Sequence, residues 1–202
     1  MNPGYFTYLC IFILYILLWM NWLTPFLQQM QISEKTFALL LTMYLVFSFV
    51  VLPYQGSVQI NVGIFVFPAL LLYWAWGKEG KDSRIMIVSS FLLVGVNLFL
   101  LRYIIRIDPV LLVIKESYLC AFIAIISGLI LAKSQKDVFL ILGSGLYLME
   151  LLFQWWSYTR GGEVYFGDGM FSDIFLLSLL GGLLLRRAFE WVMSCLSIRF
   201  HL

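Results

Sequence analysis

The sequence predicts an all-α fold, a polytopic bundle with about seven transmembrane helices. Its 202 residues are 62% hydrophobic and only 12% charged, and the mean hydropathy of +0.96 lies far above that of soluble domains. The apolar residues fall in runs that are apolar on every side and do not alternate with polar residues, so we expect helices and not strands. The whole chain, residues 1–202, is predicted to be one integral membrane domain.

Seven apolar runs are the predicted spans, although several are shorter than the roughly 20 residues that a helix needs to cross hydrocarbon. They are Tyr5–Trp22, Phe37–Leu52, Val62–Trp76, Ile85–Leu101, Tyr118–Ala132, Val138–Trp156 and Phe171–Leu185. No Lys or Arg precedes the first run and no cleavage site of small residues follows it. It is therefore predicted to be a retained span and not a signal peptide.

The tail after Arg187 is predicted to be an amphipathic helix on the inner leaflet. Its apolar residues recur at helical spacing, opposite polar residues such as Glu190 and Ser194. The alternative is that the last span continues through Arg186 and Arg187 as one long tilted helix.

Orientation is predicted from the Lys and Arg residues between the spans, which are more frequent in cytoplasmic loops. With the N-terminus outside, the cytoplasmic segments hold nine of the 13, namely Lys35, Lys78, Lys81, Arg84, Lys133, Lys136, Arg186, Arg187 and Arg199. The outer segments hold Arg102, Arg106, Lys115 and Arg160. A multi-pass protein of the plasma membrane with its N-terminus outside and its C-terminus in the cytoplasm is therefore predicted, although the outer cluster of basic residues opposes this orientation.

Several classes of function are excluded by what the sequence lacks. A net charge of +2 without a basic tail provides no surface for nucleic acid. Cys10, Cys120 and Cys195 form no CxxC or Cys/His cluster, so they are predicted to be packing residues and no metal site is expected. Ser144 lies between two glycines, but the single histidine, His201, is in the C-terminal tail, and no HExxH, Walker or GxGxxG motif is present. No familiar type of enzyme and no cofactor are predicted.

Glu150 is the sharpest candidate for a functional residue, because a carboxylate inside an apolar helix is costly unless it is paired, hydrated or protonated. Gly143, Tyr147 and Gln154 lie on the same face of this helix, since their spacing to Glu150 follows the helical repeat. We expect this face to point into the bundle.

Arg102 and Arg106 are the predicted counter-charges, because they lie one turn apart at the end of the fourth run, on the same side of the membrane as Glu150. Within that run, Asn97 is predicted to donate interhelical hydrogen bonds. Two interpretations remain open. Glu150 handles a proton or a ligand in an outward-facing cavity, or it belongs to a structural ion pair that fixes helix packing.

The polar segment 157–173 is the most glycine-rich loop and is predicted to lie outside. Its carboxylates lack the spacing of a Ca²⁺ loop, so we expect its glycines to form turns and Ser172 or Asp173 to cap the last helix. The uncharged first outer loop, residues 53–61, is placed to pack against this segment.

Two stretches carry a resemblance to a known family. The sequences VGIFVFP at Val62–Pro68 and GGEVYFGD at Gly161–Asp168, together with the layout of the spans, resemble the small integral membrane proteins of bacilli of the YphA kind. The resemblance covers most of the chain and implies a plasma-membrane protein of a Gram-positive bacterium. It supplies no catalytic residues.

Three hypotheses for function remain. The first is a non-enzymatic accessory or scaffold protein that acts through helix packing and contacts with membrane lipids and with a membrane-protein partner or a second copy of itself. The second is a small transporter or channel subunit that uses the Glu150 face. The third is a lipid-modifying enzyme with its site at the glycine-rich loop. A water-filled cavity beside Glu150 favours the second, and a face sealed by Arg102 and Asn97 favours the first.

Reporter fusions test the orientation. A fusion near Gly80 should report the cytoplasm and a fusion near Gly162 the outside, because the basic residues divide nine to four between the two sides. An outside signal at Gly80 would reverse the orientation.

Overall fold

The computed structural model describes residues 4–54, 58–77, 80–108 and 114–200, which are mostly helical. The α-helices are α1 Tyr5–Trp19, α2 Thr24–Met30, α3 Glu34–Phe47, α4 Phe67–Gly77, α5 Lys81–Ile107, α6 Glu116–Leu131, α7 Gln135–Thr159 and α8 Gly169–Phe200. The short strands are β1 Val51–Tyr54, β2 Val58–Asn61 and β3 Val164–Phe166.

Each of the predicted apolar runs overlaps a helix, although the second run, Phe37–Leu52, ends in strand β1. Among the described residues, three helices are long and apolar enough to cross a membrane, Ser83–Ile107, Gln135–Thr159 and Gly169–Met193. α1 and α2, bent by 93° at their junction, make a fourth span if they are counted as one. The segments Val62–Gly77 and Glu116–Leu131 are apolar but shorter. The chain is therefore an integral membrane protein with several spans, and helix length alone supports fewer than seven.

Helix α7 lies at the centre of the bundle, where most of its residues are buried. Two glycines bring its backbone close to that of α5. A Cβ atom at Gly95 of α5 would lie 2.8 Å from the carbonyl oxygen of Gly145 on α7, closer than real Cβ atoms come. Small residues at such positions allow two helices to approach, and this contact fixes α5 beside α7.

A three-stranded sheet closes one end of the bundle, hereafter the sheet end, and the expectation of helices alone was incomplete. β1 pairs with β2 in an antiparallel hairpin, and β2 pairs with β3 in parallel from Val58 with Val164 to Ile60 with Phe166. The predicted packing of the uncharged first loop on the glycine-rich segment is therefore present as a strand pairing. The strands were missed because runs of three or four residues show too little alternation to be recognised.

The chain enters α4 through a π-helical turn at Val62–Val66. Asn61 holds this turn to the end of α3, since its side-chain oxygen accepts from the Ile64 N–H at 3.0 Å and its amide donates to the Ser48 carbonyl at 2.7 Å. Pro68 is the second residue of α4, just after the turn. The irregular backbone beside this proline is thus the π-helical turn that precedes it.

Helix α8 runs without a break from Gly169 to Phe200, so the prediction of a separate interfacial helix after Arg187 was wrong and its alternative holds. A helix of 32 residues is about 48 Å long, longer than the roughly 30 Å of a hydrocarbon core. Its N-terminal cap is Asp168, whose carboxylate accepts from the Phe171 N–H at 2.6 Å. The predicted caps, Ser172 and Asp173, instead bind α1.

Candidate functional site

The guanidinium group of Arg102, near the end of α5, is the centre of a buried polar site at the sheet end. Its Nε donates to Glu116 Oε1 at 2.8 Å and its Nη1 to Glu150 Oε2 at 3.1 Å. Its Nη2 lies 3.7 Å from the sulfur of Met170. Its Cζ lies 4.0 Å from the ring centroid of Phe153, a cation–π distance. One side chain thus joins the ends of α5, α6, α7 and α8.

The carboxylate of Glu150 is fully enclosed, with 0% of the residue exposed. Its second oxygen, Oε1, accepts from Gln154 Nε2 at 2.7 Å. Gln154 also pairs with the backbone of β3, since its Nε2 donates to the Tyr165 carbonyl at 2.9 Å and its Oε1 accepts from the Tyr165 N–H at 3.3 Å. Arg102, Glu150 and Gln154 therefore form one continuous network from α5 to the sheet.

The other three predicted site residues lie outside this network. Arg106 is exposed, and its guanidinium Cζ lies 4.8 Å from the ring centroid of Phe153. Asn97 is exposed because it lies on a different face of α5 from Arg102. Tyr147 is buried but donates from its hydroxyl to the carbonyl of Phe65, so it binds α7 to the π-helical turn.

Glu116 belongs to this network and was not predicted from the sequence. It lies in the first turn of α6 and is the closest charged partner of Arg102. Glu116 begins α6, and Arg102 lies near the end of α5, the helix that precedes it. The end of one helix and the start of the next lie at the same end of the bundle. Its position in the sequence was the signal that could have identified Glu116 as a partner of Arg102.

A second buried polar cluster at the sheet end joins α1, α3 and α8. Asp173 Oδ1 accepts from the backbone N–H and the hydroxyl of Thr7, both at 2.9 Å, and Oδ2 accepts from the Gly4 N–H at 2.9 Å. The carboxylate thereby caps the N-terminus of α1, where backbone N–H groups have no partner within the helix. Ser172 Oγ lies 2.6 Å from the Thr7 hydroxyl and 2.9 Å from that of Tyr44.

The carboxylates of the glycine-rich segment are dispersed and do not converge on a pocket. Glu163 is exposed, Asp168 caps α8 and Asp173 caps α1. Within the described ranges, no three His, Cys, Asp or Glu side chains are grouped so that they could hold a metal ion. The geometry therefore gives no support to an enzyme site at this loop.

Truncation of Arg102 should destabilise the protein strongly, because Arg102→Ala leaves both Glu116 and Glu150 without their counter-charge. We expect a loss of about 3–5 kcal/mol in the free energy of unfolding in mixed micelles. Glu150→Gln should lose less free energy of unfolding, since Arg102 still pairs with Glu116. Arg106→Ala is the matched control and should lose at most about 1 kcal/mol. Equal losses for the two arginine variants would show that the buried network contributes nothing.

Asp168 makes stability depend on pH, because burial raises the pKa of its carboxyl above the ordinary value, against the lowering effect of the Phe171 N–H. The folded protein therefore holds this proton to higher pH than the unfolded chain, and stability falls as pH rises through that window. Asp168→Asn keeps a side-chain oxygen that can cap α8 but removes the titrating carboxyl. Its free energy of unfolding should therefore rise relative to that of the native chain as the pH increases from about 4. Asp168→Ala should lose about 1 kcal/mol even at low pH. An Asn variant as unstable as the Ala variant throughout would contradict this account.

The comparisons with known proteins agree with the apolar bundle. No curated protein matches the chain, and no solved structure matches it. A family model described as YphA-like integral membrane protein matches residues 11–201, nearly the whole chain. The chain therefore belongs to the family of YphA-like integral membrane proteins.

Proposed function

We propose that this chain is a non-enzymatic accessory or scaffold protein of the plasma membrane, which acts through helix packing and contacts with a membrane-protein partner. The observation that carries the proposal is the closure of its polar site. Both oxygens of Glu150 are occupied, all three guanidinium nitrogens of Arg102 have partners, and neither residue is more than 3% exposed. Such a site holds helices together and leaves no group free for a ligand.

Seven passes with the N-terminus outside form part of this proposal. Contacts between helix ends support alternating directions, since Thr7 near the start of α1 and Tyr44 near the end of α3 both contact Ser172 at the start of α8. Gly128 of α6 faces Leu142 of α7 across a short connection. The distribution of Lys and Arg supports the orientation.

A small transporter or channel subunit is the second candidate, and the position of Gln154 favours it. This residue binds Glu150 and also lines an open groove of about 420 Å³ formed by the end of α7 and the sheet, with Val58 and Trp155 in its wall. Movement of the Gln154 side chain away from Glu150 would connect this groove to the Glu150 carboxylate. Glu150 would then be the proton-handling group.

Proteoliposomes and native gels distinguish the two candidates. The purified full chain is reconstituted with an internal pH-sensitive dye, and a potassium diffusion potential drives protons across the membrane. An accessory protein should give the flux of empty liposomes, with Glu150→Gln identical to the native chain. In gently solubilised cell membranes it should migrate as a discrete complex larger than the purified chain.

Proton flux that Glu150→Gln abolishes in a folded protein would replace the accessory proposal by the transporter. A chain that carries no protons and migrates alone in gels of cell membranes would contradict the accessory proposal.

A further inference from the structure

An apolar slot runs through the bundle from the end opposite the sheet, hereafter the far end, to Tyr44 and Phe175 near the sheet end. It comprises a partly open cavity of about 80 Å³ and a smaller one of about 10 Å³, and Leu14, Phe26, Leu180 and Leu183 line both. The larger cavity has room for roughly six groups of the size of a water molecule or a methylene. Its lining is almost entirely hydrocarbon and aromatic, with Tyr44 the one polar side chain.

The smaller cavity gives the slot a polar mouth. Arg187, Gln135 and Trp22 line it together with the shared leucines. Trp22 follows the end of α1 and Gln135 begins α7, so this mouth lies at the far ends of these helices. A hydrocarbon slot that ends at a guanidinium has the two parts of a phospholipid site.

Arg187 is available for such a ligand because the neighbouring carboxylate is already used. Glu190 Oε1 accepts from Arg186 at 3.1 Å and Glu190 Oε2 accepts from Gln135 at 2.8 Å. Arg186 also donates to the carbonyl groups of Ala132 and Lys133. Among the residues that the structure describes, Arg187 forms no ion pair.

We propose that the slot binds a segment of about six methylene groups of one acyl chain of an anionic phospholipid, whose phosphate is held by Arg187. The charge of the mouth selects the ligand, since a guanidinium matches a phosphate in two parallel hydrogen bonds. The apolar lining selects a lipid and not a free phosphate, because only the acyl chain fills the slot. This inference does not depend on the accessory or the transporter hypothesis, or on the orientation, since each leaflet supplies lipid.

Native mass spectrometry of the full chain, released from detergent micelles, measures the binding directly. The probes are phosphatidylglycerol and phosphatidylcholine with identical acyl chains, and glycerol 3-phosphate, which has none. Arg187→Gln removes the charge at the mouth, and Arg84→Gln is the matched control because it removes an exposed arginine at the far end, away from the slot. Leu183→Trp fills the slot and leaves Arg187 in place.

We expect the native chain to retain phosphatidylglycerol in preference to phosphatidylcholine and to bind no glycerol 3-phosphate. Arg187→Gln should weaken phosphatidylglycerol about fivefold, which corresponds to about 1 kcal/mol for one basic group, and Arg84→Gln should leave the affinity unchanged. Leu183→Trp should weaken the binding of both lipids, because its ring fills the slot. Equal retention of the two lipids by the native chain, equal effects of the two arginine variants, or binding of glycerol 3-phosphate would overturn the proposal. The native-chain comparisons do not depend on whether any variant folds.

Discussion

The sheet end is organised by the requirement that a charge withdrawn from water must meet an opposite charge and fill its hydrogen bonds. Arg102 satisfies two carboxylates at once, and these carboxylates come from different helices. Gln154 extends the network to the backbone of β3. The positions of four helix ends and one strand therefore depend on a single guanidinium group, which no neutral side chain could replace without leaving a carboxylate unpaired.

The arginines at the two ends of the bundle differ in how many of their guanidinium nitrogens have partners. At the sheet end, Arg102 is enclosed and all its nitrogens have partners. At the far end, Arg186 is used in the same way, whereas Arg187 lines the mouth of a hydrocarbon slot. The polar site at the sheet end is closed, whereas the slot that Arg187 lines is partly open.

Hydrophobic periodicity was sufficient to place the helices, because an apolar run longer than about ten residues in a membrane protein has few alternatives to a helix. The same pattern predicted that Glu150 lies near Arg102, because both residues lie near the same end of their helices. It could not decide whether Arg102 or Arg106 pairs with Glu150. That choice depends on the rotation of α5 about its axis relative to α7, and hence on the close contact at Gly95. The sheet and the role of Asp168 were beyond it, because both depend on contacts between distant segments.

Pairing of β2 with β3, and of Thr7 with Asp173, joins the first third of the chain to the last. During synthesis α1 leaves the ribosome long before α8 is made, so the N–H groups at the start of α1 have no bond to Asp173 until α8 is inserted. Helices in a bilayer form individually before they assemble, so α1 can form without this bond. The cap of α1 and the pairing of β2 with β3 can therefore be completed only after the last segments of the chain are made. A polypeptide interrupted before β3 contains helices that can enter the membrane, but it lacks the carboxylate that caps α1 and the strand that pairs with β2.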